Sequence, residues 1–268
     1  MMFFVCSCGI LFKTEFFQEV CMTQNIPSSQ RPLALITGAS RGIGKALAEA
    51  FAAAGYDLVL TCSQSFDDLK LLAGELTGKF RIECTPFRVD MGCHEQVQTL
   101  FQTISRLDVL INNAGISHVG LLHEMTPEEW HRVMSVNLDS CFYTCKYSIP
   151  LMLKNHSGRI LNISSVWGNV GASMETAYSA SKGGMNAFTK ALAKELAPSG
   201  IAVNAIACGV MDTSMNACFS EEDLENLRAE IPADRIGDPK EAAKLALLLA
   251  DAPLYMTGQI ITMDGGWY

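Results

Sequence analysis

The chain has 268 residues, 49% of them hydrophobic and 18% charged, a balance that buries a sizeable core and excludes an intrinsically disordered protein. A net charge of −8, with no basic cluster to override it, excludes a nucleic-acid surface, because backbone phosphates are repelled over most of the molecule. Ten scattered cysteines without a C-x-x-C pair, several in apolar runs (Cys62, Cys141, Cys145), read as free thiols in a reducing cytosol, and the five histidines lack metal-ligand spacing, so no metal site is expected.

The first thirty residues stand apart. "MMFFVCSCGILF" is apolar for twelve positions and then meets Lys13, Glu15 and Glu19. That is too short to span a bilayer, and it lacks both the basic start and the small-residue cleavage site of a secretory signal. Two readings stay open for residues 1–30. One is an N-terminal extension, disordered or a misassigned start with Met22 as the true beginning; the other is a peripheral anchor or partner-binding arm. No membrane partner is expected, and residues 31–268 are expected to form a single domain.

From Arg31 onward apolar runs alternate with helical periodicity. "LALITG" (33–38) is the first strand, and "GIGKALAEAFAAAGY" (42–56) is a helix that stops at Gly55. "DLVLTC" (57–62) is the second strand, followed by an amphipathic helix through Leu76. "FRIECTPFRVD" (80–90) and "LDVLINNAG" (107–115) are the third and fourth strands, with a helix from His94 to Ser105 between them. Thr126, Pro127 and Glu129 form a capping-box signature that opens one long helix reaching Leu153. "GRILNISS" (158–165) is the fifth strand, Tyr178 to Leu196 a helix, "IAVNAIA" (201–207) the sixth strand and "GQIITMDGG" (258–266) the last. Strands separated by helices pair in parallel through right-handed crossovers, so both sheet faces must be covered. The expected fold class is α/β, a doubly wound, Rossmann-like parallel sheet in a three-layer α/β/α sandwich. Ligands in such folds sit beyond the carboxyl ends of the strands, where strand order reverses.

The suggestive residues fall just after strands. In "TGASRGIG" (37–44), Gly38, Gly42 and Gly44 lie where strand one turns into a helix. Glycines there permit positive φ and close backbone approach, and the helix start offers free amides to a diphosphate. A Walker loop is excluded because Gly44-Lys45 is followed by Ala46. An NAD site of the usual design wants an acid at the end of strand two; here the chain reads Thr61-Cys62-Ser63-Gln64. Arg41, with Ser40 beside it, suits a 2′-phosphate, so NADP(H) is favoured over NAD(H).

In "AYSASKGG" (177–184), Tyr178 and Lys182 stand one helical turn apart among small residues. Bringing a phenol from its usual pKa of about 10 toward neutrality takes about 3–4 kcal/mol. A unit positive charge about 5 Å away, at an effective dielectric of about 20, supplies roughly 3 kcal/mol. The expectation is that Lys182 makes Tyr178 acidic and that the small neighbours leave room for substrate and cofactor.

"TGASRGIG", "NNAG" (112–115), "NISS" (162–165) and "YSASK" (178–182), in this order, resemble the short-chain dehydrogenase/reductase family, from about Arg31 to Tyr268. Within it the chain is most similar to the 3-oxoacyl-[acyl-carrier-protein] reductases. The resemblance implies a catalytic group of Ser165, Tyr178 and Lys182, with Asn137 of "SVNL" as fourth member. Ser165 lies thirteen residues before Tyr178, the family spacing, which selects it over Ser164. In these roles Ser165 donates to the carbonyl oxygen and Asn137 holds a water that relays protons to Lys182. Asp90 and Asn113 resemble adenine-side contacts, and Gly209, Val210 and Thr213 resemble the stretch beside the nicotinamide. Ile43, Ser63, Met91, Ala114 and Gly115 complete the implied cofactor set, with Tyr178 and Lys182 themselves. Cys208 stands where the family has proline, a departure that bears on loop rigidity and substrate preference.

The resemblance implies an NADPH-dependent reductase of a ketone, a cytoplasmic homotetramer. A 3-oxoacyl group on a carrier protein is the first substrate, and a 5-aminopentanone-type ketone on a modified lysine of elongation factor P is the alternative. A reading of another class, a non-catalytic dinucleotide-binding scaffold, needs only the glycine turn.

Overall fold

The computed structural model describes residues 31–216 and 220–268, so both readings of residues 1–30 lie outside the described residues. Seven short apolar runs become strands: β1 (Leu33–Ile36), β2 (Asp57–Cys62), β3 (Cys84–Arg88), β4 (Val109–Asn112), β5 (Gly158–Ser165), β6 (Ile201–Cys208) and β7 (Ile260–Met263). They form one parallel sheet in the order β3-β2-β1-β4-β5-β6-β7. Strand order reverses between β1 and β4, which opens a crevice at their carboxyl ends.

Both faces of the sheet are apolar because successive side chains alternate sides. Ile36 and Ile111 join one core with α1 (Gly42–Ala53), α2 (Phe66–Phe80) and, from the carboxyl end of the chain, the helix Pro239–Asp251. Leu35 and Leu110 point the other way, into a second core with α3 (His94–Phe101), α5 (Ser140–Leu153) and α7 (Thr176–Leu196). The short helix α4 (Pro127–Met134) precedes α5 and α6 (Trp167–Val170) precedes α7; α8 (Glu221–Glu230) precedes the Pro239–Asp251 helix, which is α9. No helix among the described residues is long and apolar enough to cross a membrane.

Element boundaries depart from the periodicity: α3 ends at Phe101 rather than Ser105, and β4 and β7 are shorter than their apolar runs. α2 continues past Leu76 to Phe80, whose ring packs on the first core, and ends where Arg81 takes a left-handed φ of 57°; β3 therefore begins only at Cys84. The capping box at Thr126 forms, with Glu129 N donating to Thr126 Oγ1 (3.2 Å) and Thr126 N donating to Glu129 Oε2 (2.8 Å). The long helix it opens is nevertheless broken by a π-helical segment, Ser135–Asp139, which separates α4 from α5. The expected helices do not include α8 and α9, although Asp238, Pro239 and Glu241 carry the same capping signature as Thr126, Pro127 and Glu129.

Candidate active site

The crevice floor is built by residues that tie the β1 and β4 loops together. Thr37 Oγ1 accepts from Asn113 N (3.0 Å) and Ala114 N (2.9 Å). Asn113 Nδ2 donates back to Thr37 O (2.9 Å) and Gly38 O (3.0 Å). The turn so clamped is too tight for side chains: a Cβ on Gly38, whose φ is +67°, would lie 2.9 Å from Ala114 Cα, and one on Gly44 would lie 2.1 Å from Gly38 O. The N-cap of α1 is Arg41, which makes no side-chain cap bond, and the first turn carries no acid. The first amides of α1 thus face the crevice end of the turn without a protein acceptor from the cap, a cradle that fits a diphosphate. Ser40, Gly42 and Ile43 are half-buried around this turn, and Arg41 is exposed. A Cβ on Gly42 would meet Thr213 Cγ2 at 3.2 Å, so the segment after β6 folds back over the glycine turn.

At the end of β2 the structure places Thr61, Cys62 and Ser63 and no carboxylate. Thr61 Oγ1 donates to the buried Met91 Sδ (3.4 Å). Arg88, paired with Cys62 in register, donates from Nε to Ser63 O (3.3 Å). A guanidinium thus stands at the carboxyl end of β2. No motif along the β2 loop signals Arg88, because the residue arrives from the neighbouring strand. Asp90 is turned inward: its carboxylate accepts from Gly92 N (3.0 Å) and Arg132 Nη1 (2.8 Å), tying the β3 loop to α4. After β6, Gly209 N donates to Met263 O (2.9 Å), a Cβ on Gly209 would lie 2.8 Å from Asp264 Cα, and Val210 O accepts from Gly237 N (3.0 Å).

Asn137 sits in the π-helical segment, wholly buried. A π turn carries one extra residue past the α register, a device that recurs at functional sites. Here the side chain mimics a strand edge: Oδ1 accepts from Ile116 N (2.8 Å) and Nδ2 donates to Ile116 O (2.9 Å). Nδ2 also donates to Ser181 Oγ (3.0 Å) on α7, a partner that no sequence motif signals. Gly115 lies between the two catalytic elements, since a Cβ there would be 3.5 Å from Asn137 Oδ1 and 3.6 Å from Lys182 Nζ.

Ser165 ends β5, and Ser164 faces the opposite side, where its Oγ donates to Asn186 Oδ1 (2.6 Å). Ser165 Oγ accepts from Trp167 N (3.2 Å) and is hydrogen-bonded to the Tyr178 hydroxyl. One turn on from Tyr178, Lys182 is 3% exposed; its Nζ donates to Ile163 O (2.7 Å) and lies 5.7 Å from the centroid of the Tyr178 ring. The structure therefore brings Ser165, Tyr178, Lys182 and Asn137 to one end of the sheet, beside the glycine turn.

One expectation about this pair is overturned. Tyr178 is not made acidic: desolvation pushes its pKa above the ordinary 10.0, the charge of Glu175 pushes the same way, and the Ser165 bond opposes them. Lys182 is itself desolvated, which lowers its own affinity for a proton, and its ammonium is directed at a carbonyl rather than at the phenol. Gly184 serves packing: a Cβ there would strike Leu138 Cδ2 at 2.8 Å, so its absence lets α7 close on the π-helical segment, and on α6 a Cβ on Gly168 would lie 2.7 Å from the Lys182 carbonyl carbon.

Cys208 is buried at the end of β6, paired with Ser165 on one side and Met263 on the other. Burial pushes its thiol up to about 12 and that of Cys141 up to about 11, so both are neutral near neutral pH. No cluster of metal-ligating residues occurs among the described residues.

This geometry has known counterparts. The family model of short chain dehydrogenases matches residues 32–224. A 3-oxoacyl-[acyl-carrier-protein] reductase of Synechocystis sp. is 42% identical over 245 residues, covering 87% of this chain and 96% of that protein. An uncharacterized oxidoreductase of Bacillus subtilis, YmfI, is 38% identical over 237 residues, covering 88% of this chain and 98% of that protein. Among solved structures, a Beutenbergia cavernae protein assigned as an NAD(P)-dependent gluconate 5-dehydrogenase, with NADP bound at low occupancy, superposes with a TM-score of 0.84. It is 34% identical, and the match covers 88% of this chain and 96% of that one.

Proposed function

The chain belongs to the short-chain dehydrogenase/reductase family, and we propose that it reduces a ketone to a secondary alcohol with NADPH. The observation that carries this reading is the convergence of Ser165, Tyr178, Lys182 and Asn137 beside a glycine turn that only glycine backbones fit. Gly38, Ser40, Gly42, Ile43 and Gly44 with the first amides of α1 would hold the diphosphate of NADPH. Arg41 and Arg88 would hold its 2′-phosphate where an NAD site would carry an acid, and Gly209, Val210 and Thr213 would line the nicotinamide side.

Bound NADPH supplies the hydride. Ser165, whose oxygen already accepts from Trp167 N, keeps its own proton to donate to the substrate oxygen as negative charge grows there. Tyr178 delivers the second proton. Burial keeps this phenol firmly neutral, so it is loaded at any pH near neutral and gives the proton up only to a base as strong as a forming alkoxide. Lys182, held by Ile163 O, resupplies it, with Asn137 and Ser181 fixing the helix that carries both residues.

The names of the relatives make a 3-oxoacyl thioester on a carrier protein the first substrate to test. The reading includes a cytoplasmic enzyme, supported by Cys62, Cys84, Cys93, Cys141, Cys145 and Cys208 all being free thiols. The test is spectrophotometric: purified protein with acetoacetyl thioesters oxidises NADPH faster than NADH, and Tyr178→Phe abolishes turnover while NADPH binding persists. Turnover retained by Tyr178→Phe removes that residue from its role, and no NADPH oxidation with any ketone overturns the reading.

A further inference from the structure

α6 is a single turn of four residues, too short to hold itself, and its N-cap residue Val166 makes no side-chain cap bond. The turn stops at Gly171, whose φ is +77°. Trp167 N, a first-turn amide with no acceptor inside this helix, donates to Ser165 Oγ (3.2 Å). The place of this one turn therefore sets the bond that orients the Ser165 hydroxyl. Two side chains fasten the turn to the rest of the molecule. One is Asn169, whose Oδ1 accepts from Asn186 Nδ2 (2.9 Å) on α7 and whose Nδ2 donates to Thr262 Oγ1 (3.4 Å) on β7. The other is Trp167 itself.

The Trp167 ring lies 5.1 Å from that of Trp267, tilted by 58°, and 5.4 Å from that of Tyr268, tilted by 63°. Trp267 and Tyr268 are in turn 4.7 Å apart. Tilted ring contacts satisfy the aromatic quadrupole and hold more firmly than their buried area alone would. The segment after β7 is shaped to present these two rings. Asp264 Oδ1 accepts from Gly266 N (3.0 Å) and Oδ2 from Tyr268 N (2.9 Å), while Gly265 and Gly266 take φ of +71° and +87°. Ala233 N donates to Gly265 O (3.1 Å) and fixes the same bend from outside.

We propose that Trp267 is a positioning residue for the reduction: with Tyr268 it holds Trp167 in place, and through the Trp167 amide it keeps the Ser165 hydroxyl aimed at the substrate oxygen. The inference rests on the reading of Ser165 as donor to that oxygen and adds the device that aims it. The rings act through the backbone of Trp167 and need no contact with substrate. An N–H bonded to Oγ occupies one of its lone pairs, which limits rotation of the hydroxyl, and it polarises the O–H so that it donates more strongly. Without the Trp267 ring the single turn loses an anchor, and its 3.2 Å bond to Ser165, at the long end of the ordinary range, is the first to open.

The test is a double-substitution cycle on the full chain, with NADPH and an acetoacetyl thioester or, in its place, the ketone that the wild type reduces fastest. Trp267→Ala lowers kcat about 10-fold while the KM for NADPH is unchanged, and Trp267→Phe, which restores a ring, recovers most of the loss. In a Ser165→Ala background the same Trp267→Ala costs nothing further, because the group it aims is gone. A merely structural role would lower kcat by the same factor in both backgrounds. That result, or an unchanged kcat in Trp267→Ala, overturns the inference and leaves the reductase reading standing. Full activity in Ser165→Ala removes Ser165 from its role and the inference with it, and a wild type that reduces no ketone removes both. Should Trp267→Ala not fold, Asp264→Ala, which frees the bend after β7 and leaves all three rings in the chain, carries the same expectation in the two backgrounds.

Discussion

Lys182 holds an ammonium where almost no water reaches it, with the Ile163 carbonyl at 2.7 Å and the Tyr178 ring beneath. Desolvation lowers its pKa below the ordinary 10.5, so the folded chain binds this proton less tightly than the unfolded one. Its contribution to stability is therefore present above the ordinary lysine value and lost as pH falls through the lower folded one. At neutral pH the ammonium is held for chemistry against stability. Lys182→Met is expected to abolish turnover yet unfold about 2–4 °C higher, the equivalent of one kcal/mol in a domain of this size. A fall in the midpoint in a thermal melt would contradict this. Tyr178 has the opposite sign: its folded pKa lies above 10.0, so its contribution is complete below that value and is lost as pH rises through the folded one. In a difference titration of wild type against Tyr178→Phe without cofactor, the phenolate of Tyr178 should appear above pH 10.0; appearance below it would refute the burial argument. Tyr178 and Lys182 could be read from their spacing, and Ser165 and Asn137 from resemblance. Thr37, Arg88 and Ser181 could not, because each acts through a partner far along the chain, such as Asn113 for Thr37 at a separation of 76 residues.

Between β1 and α1 the turn is defined by what it excludes. With Gly38 O at 2.1 Å from the place of a Cβ, Gly44→Ala must push the β1 carboxyl end away from α1 and strain the Asn113 clamp. Overpacking against backbone of this kind should cost at least about 2 kcal/mol. NADPH affinity should fall with it, since the amides move; an unaltered melt and an unaltered Kd for NADPH would show the contact to be soft. The turn was legible because a tight glycine turn is a local pattern. The π-helical segment was not: Ser135–Asp139 carries no glycine or proline, and its extra residue is stabilised by Asn137 meeting Ile116 and Ser181 on other elements. The α9 helix, by contrast, announces itself in the Asp238-Pro239 cap as plainly as α4 does at Thr126.

At the scale of the molecule, all seven strands run the same way, so every strand delivers its carboxyl-end loop to one side and the reversal between β1 and β4 parts those loops. Val133 is the buried residue of α4, and Phe142 of α5 is 50% exposed. Leu248 on α9 (59%) and Tyr255 beyond it (101%) also stand in solvent in the single chain. The homotetramer proposal predicts a light-scattering mass near four times 29.1 kDa, reduced by Phe142→Glu if α5 forms the contact; a mass of one chain in both proteins would reject it. Alternation of strand and helix, the glycine turn and the tyrosine–lysine spacing were determined by the sequence itself, since each is a periodicity or a steric demand spanning a few neighbouring residues. Which strands adjoin, where Asn137 points and the direction in which Tyr178 titrates were decided only by the tertiary structure. Those properties arise from contacts between distant residues and from the removal of charge from water, and neither is written in any local stretch of the chain.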